Sequence, residues 1–133
     1  MKKGNLNSDI MGLFNKVFGS NPTKELRNAC ASGRIEDVDR ILKNNENIIN
    51  SQDKDGFTAL RYAINSGKLD VIELLIRNGA DFNIQDTYGN TALVHAVLEK
   101  KIDIVELLIK NGANPYIQNI GSPAFASAAR EGY

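Results

Sequence analysis

Tryptophan is absent from this 133-residue chain, cysteine and histidine occur once each, and proline occurs three times. A lone Cys30 excludes an intrachain disulfide. A lone His95, with no second His or Cys nearby in sequence, argues against a tetrahedral metal site. Neither charge prevails: Lys and Arg number 16, Asp and Glu number 16, and the formal net charge is zero. The basic excess expected of a nucleic-acid binder is missing, so no nucleic-acid partner is expected. No apolar run approaches the ~18 residues of a membrane span. Met1-Lys2-Lys3 starts like a signal peptide, but Gly4 to Asp9 is polar and no apolar stretch follows. The expectation is a cytoplasmic protein, with export by a route needing no amino-terminal signal also compatible.

What the chain does have is a repeat. Asp55-Gly56-Phe57-Thr58-Ala59-Leu60-Arg61-Tyr62-Ala63 aligns with Tyr88-Gly89-Asn90-Thr91-Ala92-Leu93-Val94-His95-Ala96, so that Thr58 recurs as Thr91. Val71-Ile72-Glu73-Leu74-Leu75-Ile76-Arg77-Asn78-Gly79-Ala80 returns at the same offset as Ile104-Val105-Glu106-Leu107-Leu108-Ile109-Lys110-Asn111-Gly112-Ala113. A weaker copy precedes them: Leu26, Ala29, Gly33 and Ile35 correspond to Leu60, Ala63, Gly67 and Leu69, at an offset longer by a single position. A partial copy follows, in Gly121-Ser122-Pro123-Ala124-Phe125-Ala126-Ser127-Ala128-Ala129. The period and motifs resemble the ankyrin repeat, with its helix–helix unit of about 33 residues. Ala59 and Ala92 stand where that family has proline, and Arg61 and Val94 where it has histidine, which removes one local hydrogen bond to the threonine.

The residues support that resemblance locally. Thr58 and Thr91 fall at helix N-caps. Leu60, Ala63 and Ile64 share one helical face. Gly67 suits a left-handed C-cap, and Lys100 takes the same place at some strain. The second helix starts near Asp70 or Asp103, is apolar around most of its circumference, and stops at Asn78-Gly79 or Asn111-Gly112. Such a helix must be buried between neighbours, so the stack is the folding unit. The fold expected is all-α: a solenoid of stacked helix-turn-helix units with hairpin-like connecting loops. Repeats fall at about 23–53, 54–86 and 87–119, with a partial one at 120–133. Residues 1–22 form an amino-terminal segment, partly disordered, in which Leu13, Phe14, Val17 and Phe18 mark a capping helix at 11–18. At the other end, Val105 and Leu108 are expected to lie on an uncovered apolar edge, which makes self-association through the carboxyl-terminal end an expectation to test.

Chemistry is sparse. Asp53-Lys54-Asp55-Gly56 resembles a calcium loop superficially, but its twelfth position is Ile64 rather than a bidentate glutamate, and turn formation explains these residues better. Cys30 and His95 lie two repeats apart, roughly 20 Å at ~10 Å per stacked helix, too far for a dyad. Neither a phosphate-cradling glycine loop nor a nucleophile elbow occurs. No catalytic, cofactor or metal residue is therefore assigned, and an enzyme is not expected. The family resemblance implies a protein partner, bound by loop tips and the concave first-helix face. Transferred position by position, that face comprises Lys54, Asp55, Phe57, Arg61, Tyr62, Asn65 and Ser66 in one repeat, and Thr87, Tyr88, Asn90, His95, Leu98 and Glu99 in the next, with Val94 alongside. Phe57 and Tyr88 are expected to be aromatic hot spots. The function implied is a protein–protein interaction scaffold. Two sharper alternatives are an inhibitor or immunity-type protein that blocks a toxin or enzyme, and an effector or adaptor that engages host or signalling proteins.

Overall fold

A computed structural model describes residues 21–116 of the chain. The expected capping helix at 11–18 and the partial repeat at 120–133 lie outside the described residues. Helices follow in three pairs: α1 (Pro22–Ser32) with α2 (Ile35–Asn44), α3 (Ala59–Ser66) with α4 (Leu69–Arg77), and α5 (Ala92–Leu98) with α6 (Ile102–Lys110). First helices stack on first helices, α1 on α3 on α5, while α2 stacks on α4. Among the described residues there is no strand, and no helix is long and apolar enough to cross a membrane.

The helix boundaries have local causes. The Asn21 side chain accepts from the amides of Thr23 and Lys24, and Pro22 supplies a preset first turn to α1. Thr91 caps α5 by accepting from Val94 N at 3.4 Å. Thr58 holds the same extended backbone ahead of α3 but makes no side-chain capping bond. Gly33 and Gly67 end their helices in the left-handed conformation, and Lys100 adopts it at φ 57 after α5. The second helices end on asparagines that bend back: Asn45, Asn78 and Asn111 each donate Nδ2 to the carbonyl one turn earlier, at 2.8–2.9 Å. The first repeat therefore replaces the Asn-Gly stop of the others with Asn45 alone, and Asn47 turns the chain at φ 62.

One contiguous core runs through all three pairs. Leu26, Ala29 and Cys30 lead into Leu60, Ala63 and Ile64, then Leu93, Ala96 and Val97, and the second helices add Val38, Ile41, Val71, Ile72, Leu75, Ile104 and Leu108. Alanines at 29, 63 and 96, each fully buried, leave the room that lets first helices approach. Cys30 is one more small core residue; burial pushes its thiol up to about 12. Leu108 corrects the expectation of an edge shared with Val105. It is fully buried, because it lies one turn from Ile104 on the same inward face. The apolar residues left in solvent on α6 are Ile102 and Ile109.

Lysines tie successive repeats together at the helix turns. Lys101 Nζ donates to the carbonyls of Ile64 and Asn65, closing the last turn of α3 from the following repeat. One repeat earlier, the Lys68 stem lies against Gly33, so close that a β-carbon there would sit 2.7 Å from Lys68 Cγ. The positive charge at a helix C-terminus is favourable as well as geometrically complementary.

Candidate functional site

The face to consider runs from the loops 78–91 and 45–58 onto α3 and α5. Each loop is organised by one aspartate. Asp53 Oδ1 accepts from the amides of Asp55 and Phe57, both at 2.9 Å, and its other oxygen accepts the Tyr62 hydroxyl. Asp86 repeats the arrangement in the next loop: Oδ1 accepts from Tyr88 N at 2.9 Å and Asn90 N at 3.0 Å, and Oδ2 takes His95 Nε2 at 2.7 Å. Each loop also folds back on itself, Asp53 N to Phe57 O at 3.0 Å and Asp86 N to Asn90 O at 2.9 Å. The hairpin-like shape is thus built by a carboxylate that organises the turn and fastens it to a ring on the helix that follows.

Neighbouring loops are bonded to one another. Thr87 donates both its amide and its hydroxyl to Asp55 O, at 3.1 and 3.0 Å. Gln52 Nε2 reaches Gln85 O at 3.0 Å. Asn50 Oδ1 accepts from Asp81 N at 2.8 Å, and Asn83 Oδ1 accepts from Asn114 N at 3.0 Å. Gly56 makes the approach feasible: it is buried at φ 79, and a β-carbon there would lie 2.7 Å from Thr87 N. The spacing held the signal for these contacts, since Gln52 and Asp53 recur as Gln85 and Asp86 at the repeat offset.

Of the residues that the repeat register assigns to recognition, the structure presents some to solvent and uses others to hold them. Lys54, Asn65, Thr87, Tyr88 and Leu98 are exposed, Tyr88 at 61% and Leu98 at 51%. Phe57 is half-buried: its ring meets Tyr62 and His95 edge-on, at 6.2 and 5.9 Å between centroids, and the Arg61 guanidinium lies over it at 5.4 Å. Arg61 also pairs with Glu99 at 3.3 Å. Asp55 and Asn90 hold the loops through their backbones, and Ser66 Oγ turns back to Ala63 O at 2.8 Å. Val94 is fully buried in the core. Phe57, half-buried, therefore joins two repeats through its ring, and Tyr88 is the exposed aromatic side chain at the tip.

The electrostatics follow from the brackets. Burial alone would raise the Asp53 carboxyl, but the Tyr62 hydroxyl and the Phe57 and Asp55 amides outweigh it and hold it below its ordinary value. The same bond, with burial, raises Tyr62. For His95, burial and then the positive charge of Arg61 depress the imidazole below its ordinary value, against the opposing pull of Asp86. In its contact with Asp86 the carboxylate accepts, which assigns the ring proton to Nε2 of His95. Among the described residues, no three His, Cys, Asp or Glu side chains come together in a way that could hold a metal ion.

Residues 26–119, well over half of the chain, match the family model described as ankyrin repeats in three copies. The chain belongs to the ankyrin-repeat family. It is 36% identical over 69 residues to ankyrin repeat domain-containing protein 49 of Bos taurus, a match covering 52% of this chain and 29% of that protein. The human protein of the same name is 33% identical over 75 residues, covering 56% of this chain and 31% of the relative. The acyl-CoA-binding domain-containing protein 6 homolog of Dictyostelium discoideum is 45% identical over 47 residues, covering 35% and 16%. The chain spans less than a third of the length of these relatives. Ankyrin repeats generally mediate protein–protein interaction.

Proposed function

We propose that this ankyrin stack is a rigid scaffold that binds one protein partner through its loop tips and the exposed side of its first helices. The observation that carries the reading is the bracing of the tips. Each loop is pinned by its own aspartate and bonded to the next, so Lys54, Thr87 and Tyr88 are displayed on a frame that is already ordered. Little conformational entropy remains to be lost on docking, which is how preorganisation raises affinity. Asn65 and Leu98 extend the surface along α3 and α5, while Arg61, Glu99 and Lys101 form a charged network between them. Tyr88 and Leu98 supply the anchors, because a large side chain entering a partner's pocket carries most of the energy at such interfaces.

The reading includes a cytoplasmic working environment, which rests on the family alone. Affinity capture from native lysate with the wild-type chain and with Tyr88→Ala, Leu98→Asp tests it. One partner retained by the wild type and lost by the double variant is the expected result. A partner held equally by both would overturn the proposed face. A captured toxin or enzyme whose activity falls on binding would narrow the role to an inhibitor, and a signalling protein that stays active would narrow it to an adaptor.

A further inference from the structure

Arg77-Asn78-Gly79-Ala80 returns as Lys110-Asn111-Gly112-Ala113, and both copies stop a second helix. An Asn-Gly step can react with its own side chain. The glycine amide nitrogen attacks the asparagine Cγ: the N–Cγ bond forms, the Cγ–Nδ2 bond breaks, and ammonia leaves. Water then opens the cyclic imide to aspartate or isoaspartate, so the net reaction consumes water and releases ammonia. Glycine favours it because no side chain shields the attacking nitrogen. Asn78, Gly79, Asn111 and Gly112 are all exposed. A β-carbon on either glycine would meet nothing within 4 Å, so solvent reaches both steps.

Each helix end holds its Asn-Gly step out of the reacting position. Asn78 has ψ 13 and Asn111 ψ 5, which turn the glycine amide away from the asparagine side chain. Asn78 Nδ2 donates to Leu74 O at 2.8 Å, and Gly79 N donates to Ile76 O at 3.1 Å. Asn111 Nδ2 and Gly112 N make the matching bonds to Leu107 O at 2.8 Å and Ile109 O at 3.0 Å. Reaction therefore requires a local opening that breaks these bonds, and the frequency of that opening sets the rate. One difference separates the two steps. Asn50, in the preceding loop, donates Nδ2 to Gly79 O at 3.2 Å while its Oδ1 accepts from Asp81 N at 2.8 Å. Asn83, one repeat on, accepts from Asn114 N at 3.0 Å, and among the described residues it makes no bond to Gly112 O. We propose that Asn78 and Asn111 are sites of spontaneous deamidation, and that Asn50 restrains the reaction at Asn78 by clasping the backbone on both sides of Ala80. Conversion replaces the Nδ2 donor that closes the helix with a carboxylate beside carbonyl oxygens, at the negative end of the helix dipole. An isoaspartate also lengthens the backbone where α4 passes into the loop that carries Tyr88.

The test follows the full chain through a long incubation at neutral pH, read by Glu-C digestion and tandem mass spectrometry. Cleavage after Glu73 and Glu106 leaves each Asn-Gly step inside its own peptide. In denaturing guanidinium the two steps should convert at one rate, because their flanking residues match. In the folded chain both should slow, Asn78 severalfold more than Asn111. Asn50→Ala should raise conversion at Asn78 to that at Asn111. Asn50→Asp keeps the acceptor for Asp81 N but removes the donor to Gly79 O, and should give part of the same rise. Asn111 is the internal control in both variants and should be unchanged. Equal rates at the two steps in the folded wild type would overturn the proposal, as would conversion at neither while the unfolded chain converts fully. A variant that speeds Asn111 as much as Asn78 would also overturn it, by tracing the effect to a general loosening of the stack.

Discussion

Replacing Gly56 by alanine separates the cost of a backbone conformation from the cost of pushing two loops apart. Gly56 and Gly79 both occupy the left-handed region, at φ 79 and 89, and both follow turn-forming residues. A β-carbon on Gly79 meets nothing within 4 Å. Gly79→Ala should therefore cost only the left-handed penalty of an L-residue, about 1–2 kcal/mol. A β-carbon on Gly56 would lie 2.7 Å from Thr87 N, 2.8 Å from Asp86 Cα and 3.0 Å from Asp86 C. These are backbone atoms of the next repeat's loop, so no side-chain rotation relieves the clash. The loops must separate, at a typical overpacking cost of about 1–3 kcal/mol beyond the left-handed penalty. The Thr87 bonds to Asp55 O would be strained in the same movement. Urea titration followed by circular dichroism measures both variants. With slopes of about 1–3 kcal/mol/M, the Gly56→Ala midpoint should fall below that of Gly79→Ala by several tenths of a molar or more. Equal midpoints would refute the claim that the loops brace one another.

The other expectations concern the core, the buried ring and pH. Leu75→Ala should destabilise by about 2–5 kcal/mol, because Leu75 is fully buried and leaves a cavity, and a melting shift no larger than that of Glu73→Ala would contradict the stack. Phe57→Ala should lower the melting temperature clearly, since its ring joins Tyr62, His95 and Arg61, whereas Tyr88→Ala should leave it within the range of surface changes; the reverse order would contradict the packing described. His95 is depressed in the folded state by burial and by Arg61, so the folded chain binds fewer protons than the unfolded one below the ordinary value of 6.5. Its contribution to stability is complete above that pH and is lost as pH falls toward the depressed value. His95→Gln should flatten the pH dependence of the urea midpoint in this window, and an unchanged slope would rule out His95 as the cause.

Much of the stack was legible because each of its devices recurs at the same offset. Thr58 and Thr91 start helices, Gly67 and Lys100 end them, and the apolar runs at 71–76 and 104–109 supply the second-helix core. The role of Asp53 and Asp86 was harder to see. An aspartate that forms a turn and one that also fastens the turn to a helix look alike in sequence, and the difference lies in Tyr62 and His95 on the helix that follows. Phe57 was expected at the loop tip, and a loop aromatic carries no sign in sequence of the contacts that half-bury it, which come from Tyr62, Arg61 and, in the next repeat, His95. Leu108 and Val105 belong to the same apolar run, and only the packing against the core decides that Leu108 is fully buried and Val105 half-buried.

Site-directed photo-crosslinking tests the proposed binding face most directly. A photoreactive phenylalanine analogue placed at Tyr88, at Leu98 or at Glu36, an exposed position on α2, reports which face meets the partner in native lysate. The account predicts one adduct of the same mass from Tyr88 and Leu98 and none of that mass from Glu36. An adduct from Glu36 with none from the other two would contradict it, and would place the partner on the second-helix side of the stack.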